Sequence, residues 1–250
     1  MSNQKKSELS HSPLEVSGEV IILAGGLGTR LRSAVPDLPK CMAPVNGKPF
    51  IGYVIDYFQK EGVDKFILSV GYMKEAIIDY VAEHYPTLNV KFAIEEEPMG
   101  TGGGIYLSSK MATEQNVFVT NGDTMFNVNL AALLARHTET NSDCTLSLKP
   151  LQNFERYGVV ELKEDFSIDS FKEKQYYKEG LINGGLYVLN VASFLAESLP
   201  QKFSFEKDYM EALYQHRKMS GLVQDAYFID IGIPQDYLQA QTDFSLVVSG

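Results

Sequence analysis

The chain has 250 residues, 44% of them apolar and 22% charged, with a formal net charge of −10. That length closes one large or two small cores, and the negative balance leaves no basic stripe to grip a polyanion, so nucleic acid is not an expected partner. No apolar run approaches the roughly 18 residues of a membrane span, and the polar start MSNQKKSELSHSP is not a signal peptide. Cys41 and Cys144 lack metal-ligand spacing and read as free thiols of a reducing compartment, so a cytoplasmic protein without a membrane partner is expected.

Residues 1–18 read as a loose arm. Val20–Leu23 is strand-like and runs into a glycine-rich turn; Lys48–Gly62 reads as an amphipathic helix ended by glycine. Lys65–Val70 is a strand, Lys74–His84 a helix, and Val90–Ile94 and Val117–Thr120 are strands with a helical stretch between them. Strands alternating with helices imply right-handed crossovers and a largely parallel, doubly wound sheet. After about residue 142 the texture changes to closely spaced strands in CTLSLKP, YGVVELK, SIDSFKEK and GGLYVLN, an antiparallel or mixed extension of the same sheet. Helices at about 205–216 and 234–243 flank a last strand at about 227–230. Residues 19–250 thus read as one domain, with about 19–142 and about 143–245 as its two parts.

A glycine turn between a first strand and a helix is a place to hold phosphates on backbone N–H groups. No Walker A string, G-x-x-x-x-G-K-[ST], occurs in the chain. A dinucleotide fingerprint anchored on Gly26 and Gly28 would need glycine at Leu31 and an acid near Lys48, so a dehydrogenase is disfavoured. What remains is Leu23-Ala24-Gly25-Gly26-Leu27-Gly28-Thr29-Arg30-Leu31 followed by Pro39-Lys40. This string resembles the signature of the sugar-1-phosphate nucleotidyltransferases. The resemblance extends through EEEPMGTGGG (95–104), NGDTMF (121–126), YGVVEL (157–162), FKEK (171–174), INGGLYVLN (182–190) and FIDIGIPQDY (228–237). KFSFEKD (202–208) is similar to a branch of that family acting on a manno-configured heptose phosphate.

The resemblance implies a nucleotide-diphospho-sugar transferase fold: α/β, Rossmann-like, a doubly wound, mixed and mostly parallel sheet with helices on both faces and a β-rich sugar-binding lobe. It implies the reaction NTP plus sugar 1-phosphate giving NDP-sugar plus pyrophosphate. The partners expected are GTP and a heptose 1-phosphate, with mannose 1-phosphate or uridylyl transfer as alternatives and a homo-oligomer left open. A sugar phosphate is mostly dianionic near neutral pH, its second pKa lying near ~6, so it needs no general base. The four histidines, His11, His84, His137 and His216, accordingly lie outside every motif. The chemical difficulty is bringing two anions together, which calls for positioning and charge neutralisation.

Arg30 can fork onto the departing phosphates and Lys40 can neutralise the α-phosphate. Asp123 and Asp230, each following an apolar strand, form a hard oxygen pair suited to Mg²⁺. By resemblance, Leu23, Ala24, Gly25, Gly26, Gly28, Thr29, Gly100 and Thr101 hold the nucleotide. Lys174 contacts the sugar phosphate and Glu173 a sugar hydroxyl, while Tyr157, Gly158, Asn183 and Gly184 line the sugar side. Glu95 corresponds to the family's base reader; a carboxylate accepts N1–H and N2–H₂ of guanine together and repels the carbonyls of uracil. The competing class is a catalytically silent sugar-nucleotide sensor, which could lose Arg30, Lys40 or a carboxylate without losing its fold; all four are present.

Overall fold

Val20, Ile21 and Ile22 alternate between the two faces of the first strand, and all three are fully buried. A strand apolar on both faces requires cover on both sides. The computed structural model describes residues 18–26, 31 and 35–248. In chain order these form β1 (Gly18–Leu23), the short hairpin β2–β3 (Pro44–Val45, Lys48–Pro49), α1 (Phe50–Lys60), β4 (Val63–Val70) and α2 (Lys74–His84). Then come β5 (Asn89–Ile94), α3 (Gly100–Ser109), β6 (Asn116–Asn121), β7 (Thr124–Phe126), α4 (Leu130–Thr140), β8 (Cys144–Phe154), β9 (Val159–Leu162) and β10 (Ile168–Lys172). The last elements are β11 (Tyr177–Asn190), α5 (Val191–Leu195), a π-helical segment (Phe205–Glu211), β12 (Met219–Val223), β13 (Phe228–Asp230) and α6 (Pro234–Val248).

The main sheet runs β5-β4-β1-β6-β11, with β5, β4, β1 and β6 parallel and β11 antiparallel to β6. Beyond β11 it branches: β8 carries β12, and β9 carries β10. Val20 and Ile22 share one core with Phe50, Ile55 and Phe58 of α1, Ile77 of α2, Leu130 of α4 and Phe244 of α6. Ile21 shares the other with Ile105 of α3, Phe194 of α5, and Phe203, Phe205 and Tyr209. The doubly wound, mostly parallel sheet with helices on both faces is therefore present, and its mixed, β-rich extension follows β6.

Several boundaries differ from the sequence reading. Gly18 belongs to β1 rather than to an arm, and residues 1–17 lie outside the described residues. α1 starts at Phe50, because Lys48 pairs with Val45 in the hairpin and Pro49 presets the entry with φ −54°. α4 was not anticipated; Asn129 caps it by accepting the Ala132 N–H at 2.9 Å. The expected helix at about 205–216 is wider-wound, π-helical over Phe205–Glu211. Among the described residues no helix is long and apolar enough to cross a membrane.

The carboxyl ends of β1, β4 and β6 lie side by side, with Leu23 in register with Ser69 and Asn121. The loops beyond them interlock: Ala24 N–H donates to Ser69 O and Gly122 N–H to Leu23 O, each at 2.8 Å. Ligands of open parallel sheets gather at this kind of edge, where the strand order reverses.

Candidate active site

A cleft of about 420 Å³ opens over that edge, lined by Leu23, Ala24, Gly25 and Gly26 from the first loop and by Gly100 and Thr101 at the start of α3. Lys40, Glu95, Asn121 and Asp123 complete it. Gly28, Thr29 and Arg30, also expected here, lie outside the described residues. Glu95 follows the last residue of β5, and its N–H donates to Val70 O at 2.8 Å. Its Oε1 accepts the Ser69 hydroxyl at 2.8 Å and its Oε2 the Met99 N–H at 3.2 Å. Each carboxylate oxygen so held keeps a second lone pair for a ligand. Gly25 must be glycine for this arrangement, since a Cβ there would lie 2.6 Å from Glu95 Oε1.

Asp123 sits in the turn between β6 and β7, and Asp230 ends β13. β13 pairs antiparallel with β7, placing Asp230 opposite Thr124, and Ile231 N–H donates to Asp123 O at 3.0 Å. Two residues more than a hundred positions apart are thereby brought to one point. Both carboxylates contact the same ammonium, that of Lys40: Asp123 through Oδ2, and Asp230 through Oδ1 at 3.2 Å. The lysine is 12% exposed and the aspartates about a quarter exposed, so the cluster has one wet side. Burial pulls the Lys40 pKa down, but the two carboxylates outweigh it and hold it above the ordinary lysine value. Asp230 Oδ1 also accepts the Gly232 N–H at 2.8 Å, so the residue shapes its own turn as well as holding the lysine.

A second cleft, about 640 Å³, adjoins the first. Tyr157, Gly158, Glu173, Lys174, Asn183 and Gly184 all line it, and so do Asn121 and Asp230. Asn121 is common to both clefts, while Asp123 and Lys40 face one and Asp230 the other. Asn183 Oδ1 accepts the Gly185 N–H at 3.0 Å where the β11 register shifts, so this NGG run is a built irregularity within a strand. Sequence reasoning assigned no role to Ser69, Ser204, Glu206 or Glu211. The last three line the second cleft from the 202–211 segment. Burial first, and then the neighbouring Glu173, push the Glu211 carboxyl above its usual range. A further cleft of about 670 Å³, between Lys163 and Lys218, shares no lining residue with these two.

An acidic pair and a lysine thus lie at the carboxyl edge of a doubly wound sheet, between two adjoining clefts. The chain belongs to the nucleotidyl transferase family, whose model matches residues 19–245. It is 50% identical over 225 residues to the D-glycero-α-D-manno-heptose 1-phosphate guanylyltransferase of Aneurinibacillus thermoaerophilus, covering 90% of this chain and 97% of that protein. It is 42% identical to the enzyme of the same name from Campylobacter jejuni, covering 88% of this chain and 96% of the other. Among solved structures it is similar to HddC from Yersinia pseudotuberculosis complexed with GMP-PN, with a TM-score of 0.82 and 38% identity, covering 91% of this chain and 99% of that one.

Proposed function

We propose that this chain transfers GMP from GTP to D-glycero-α-D-manno-heptose 1-phosphate, releasing pyrophosphate. The bond formed joins a sugar-phosphate oxygen to the α-phosphorus, and the bond broken joins that phosphorus to the β-phosphate bridge. The observation that carries this reading is the Lys40–Asp123–Asp230 cluster on the boundary of two clefts. In this reading residues of the 19–142 part hold GTP, with Glu95 reading guanine and Leu23–Gly26, Gly28, Thr29, Gly100 and Thr101 around the nucleotide. Residues of the 143–245 part hold the sugar, with Lys174 on its phosphate and Glu173, Tyr157, Gly158, Asn183 and Gly184 about its ring. Arg30 draws charge from the departing pyrophosphate, and Lys40 neutralises the α-phosphate as negative charge builds there.

Asp123 and Asp230 fit a divalent ion. They are oxygen donors only, and both already face one positive centre, the Lys40 ammonium, which supports this reading. The ion, Mg²⁺ in this reading, would supply electrostatic neutralisation of the triphosphate. The reading places the protein in the cytoplasm, where GTP is available.

Pyrophosphate release measured for GTP, ATP, CTP and UTP against heptose, mannose and glucose 1-phosphates tests this. Turnover with GTP and the heptose phosphate at least tenfold above every other pair is expected. Tight GTP binding without release from any pair would instead identify a sensor.

A further inference from the structure

The 202–208 segment was singled out in the sequence, yet the transfer reaction gives it no task. In the structure its Glu206 is held as few surface carboxylates are. Oε2 accepts the Thr101 hydroxyl at 2.7 Å and the Ser204 hydroxyl at 2.9 Å. Both donors are themselves fixed. Thr101 Oγ1 accepts the Phe205 N–H at 2.9 Å, and Ser204 Oγ accepts the Lys207 N–H at 3.2 Å. Each hydroxyl has a single proton, and an amide on its other side leaves that proton directed at Glu206. Oε2 thus has both lone pairs occupied, while no donor among the described residues reaches Oε1. The wide π turn over Phe205–Glu211 brings residues five apart onto one side, so Glu206 and Glu211 both line the sugar cleft while Phe205 and Tyr209 stay buried beneath.

We infer that Glu206 is a specificity-determining residue of the sugar cleft, accepting a hydroxyl of the sugar 1-phosphate on Oε1. Thr101, which also lines the nucleotide cleft, sets its orientation. A carboxylate held by two neutral hydroxyls keeps its charge for a third donor, and a polyhydroxylated ligand is the class that provides one. The link through Thr101 also means that the side chain reading the sugar is anchored to the segment carrying the nucleotide. This rests on the guanylyl-transfer reading for the identity of the sugar, but not for the presence of a hydroxyl-bearing ligand.

The test is Glu206→Gln. The Gln amide oxygen can take the two hydroxyl protons that Oε2 takes now, so the turn is preserved, and the amide nitrogen then replaces the free oxygen. A merely structural Glu206 predicts no change. A sugar reader predicts a rise of about tenfold in KM for the sugar 1-phosphate, with kcat and KM for GTP within about twofold of wild type. Ser204→Ala, which withdraws one of the two holding donors without touching the nucleotide cleft, should raise the sugar KM about threefold, and Ser204→Thr should restore it. If the glutamine variant melts too low to assay, the Ser204 pair carries the same test. An unchanged sugar KM, or equal rises in both KM values, overturns the inference. Failure of the wild type to use the heptose phosphate would instead overturn the proposed function, and the sugar phosphate it does use would replace it in this assay.

Discussion

Changing Glu95 to Gln tests how the base is chosen. The carboxylate is gripped on both oxygens, by Ser69 and by the Met99 N–H. In the variant, the amide oxygen stays on the Met99 N–H, which can only donate, and the nitrogen turns to Ser69, whose hydroxyl can rotate to accept. The loop therefore keeps its shape. What changes is the edge offered to the base, from two acceptors with a negative charge to one acceptor and one donor. Guanine loses one of two charge-assisted hydrogen bonds and meets a donor facing its own N–H, a loss of about 3 kcal/mol or roughly 150-fold in kcat/KM for GTP. UTP, whose imide suits an amide, should gain several-fold. Initial rates of pyrophosphate release against each nucleotide, at saturating sugar phosphate, give the selectivity ratio. A GTP-to-UTP ratio within threefold of wild type would refute the reasoning and move base selection to the backbone.

Two further substitutions probe the scaffold. His137 is buried between Thr145 Oγ1 at 2.9 Å and Asn116 Oδ1 at 3.2 Å, and burial, opposed by Asp143, lowers its pKa to about 4. Because the folded pKa lies below the unfolded value near 6.5, the stability this neutral ring supports is complete above pH 6.5 and is lost as pH falls through 4. Urea unfolding should show wild type losing about 3 kcal/mol relative to His137→Gln between pH 7 and 4, and parallel curves would contradict this. Gly102→Ala inverts the usual helix rule. Alanine within a helix ordinarily gains about 1 kcal/mol over glycine. Here its Cβ would lie 2.1 Å from the buried Phe203 ring, so a loss of about 2–3 kcal/mol and a melting point lower by roughly 5–10 °C are expected. A melting point at or above that of wild type would show that the 203 segment can shift freely.

The parallel half of the fold was legible because β1, β4 and β6 each carry a short apolar run, Val20–Ile22, Phe66–Leu68 and Val117–Val119, buried on both faces. Lys74–His84 was bounded to the residue by its flanking turns. β11 was read only from its second half. Its first half, beginning Tyr177-Lys178-Glu179-Gly180, is polar and partly solvated, and its strand character comes from pairing with β8 rather than from its own pattern. β7 is three residues long and exists through its partner β13, a pairing that sequence separation conceals. Of the site, the residues tied to motifs were readable one by one, and the sequence placed Asp123 and Asp230 at strand ends. That one lysine bridges both carboxylates depends on the β7–β13 register and was not readable. Nor was the hold of Thr101 and Ser204 on Glu206, because a π turn changes which residues share a side.

The central claim is that the Lys40–Asp123–Asp230 cluster is where the phosphoryl compounds meet. Asp230→Asn isolates it, since the amide oxygen can keep both the Gly232 N–H and the Lys40 contact while the negative charge is removed. The deciding measurement is kcat at saturating GTP and sugar phosphate, taken beside a thermal melt. A fall of at least about 100-fold with the melting point within ~2 °C of wild type is predicted. Turnover within fivefold of wild type would place the chemistry elsewhere.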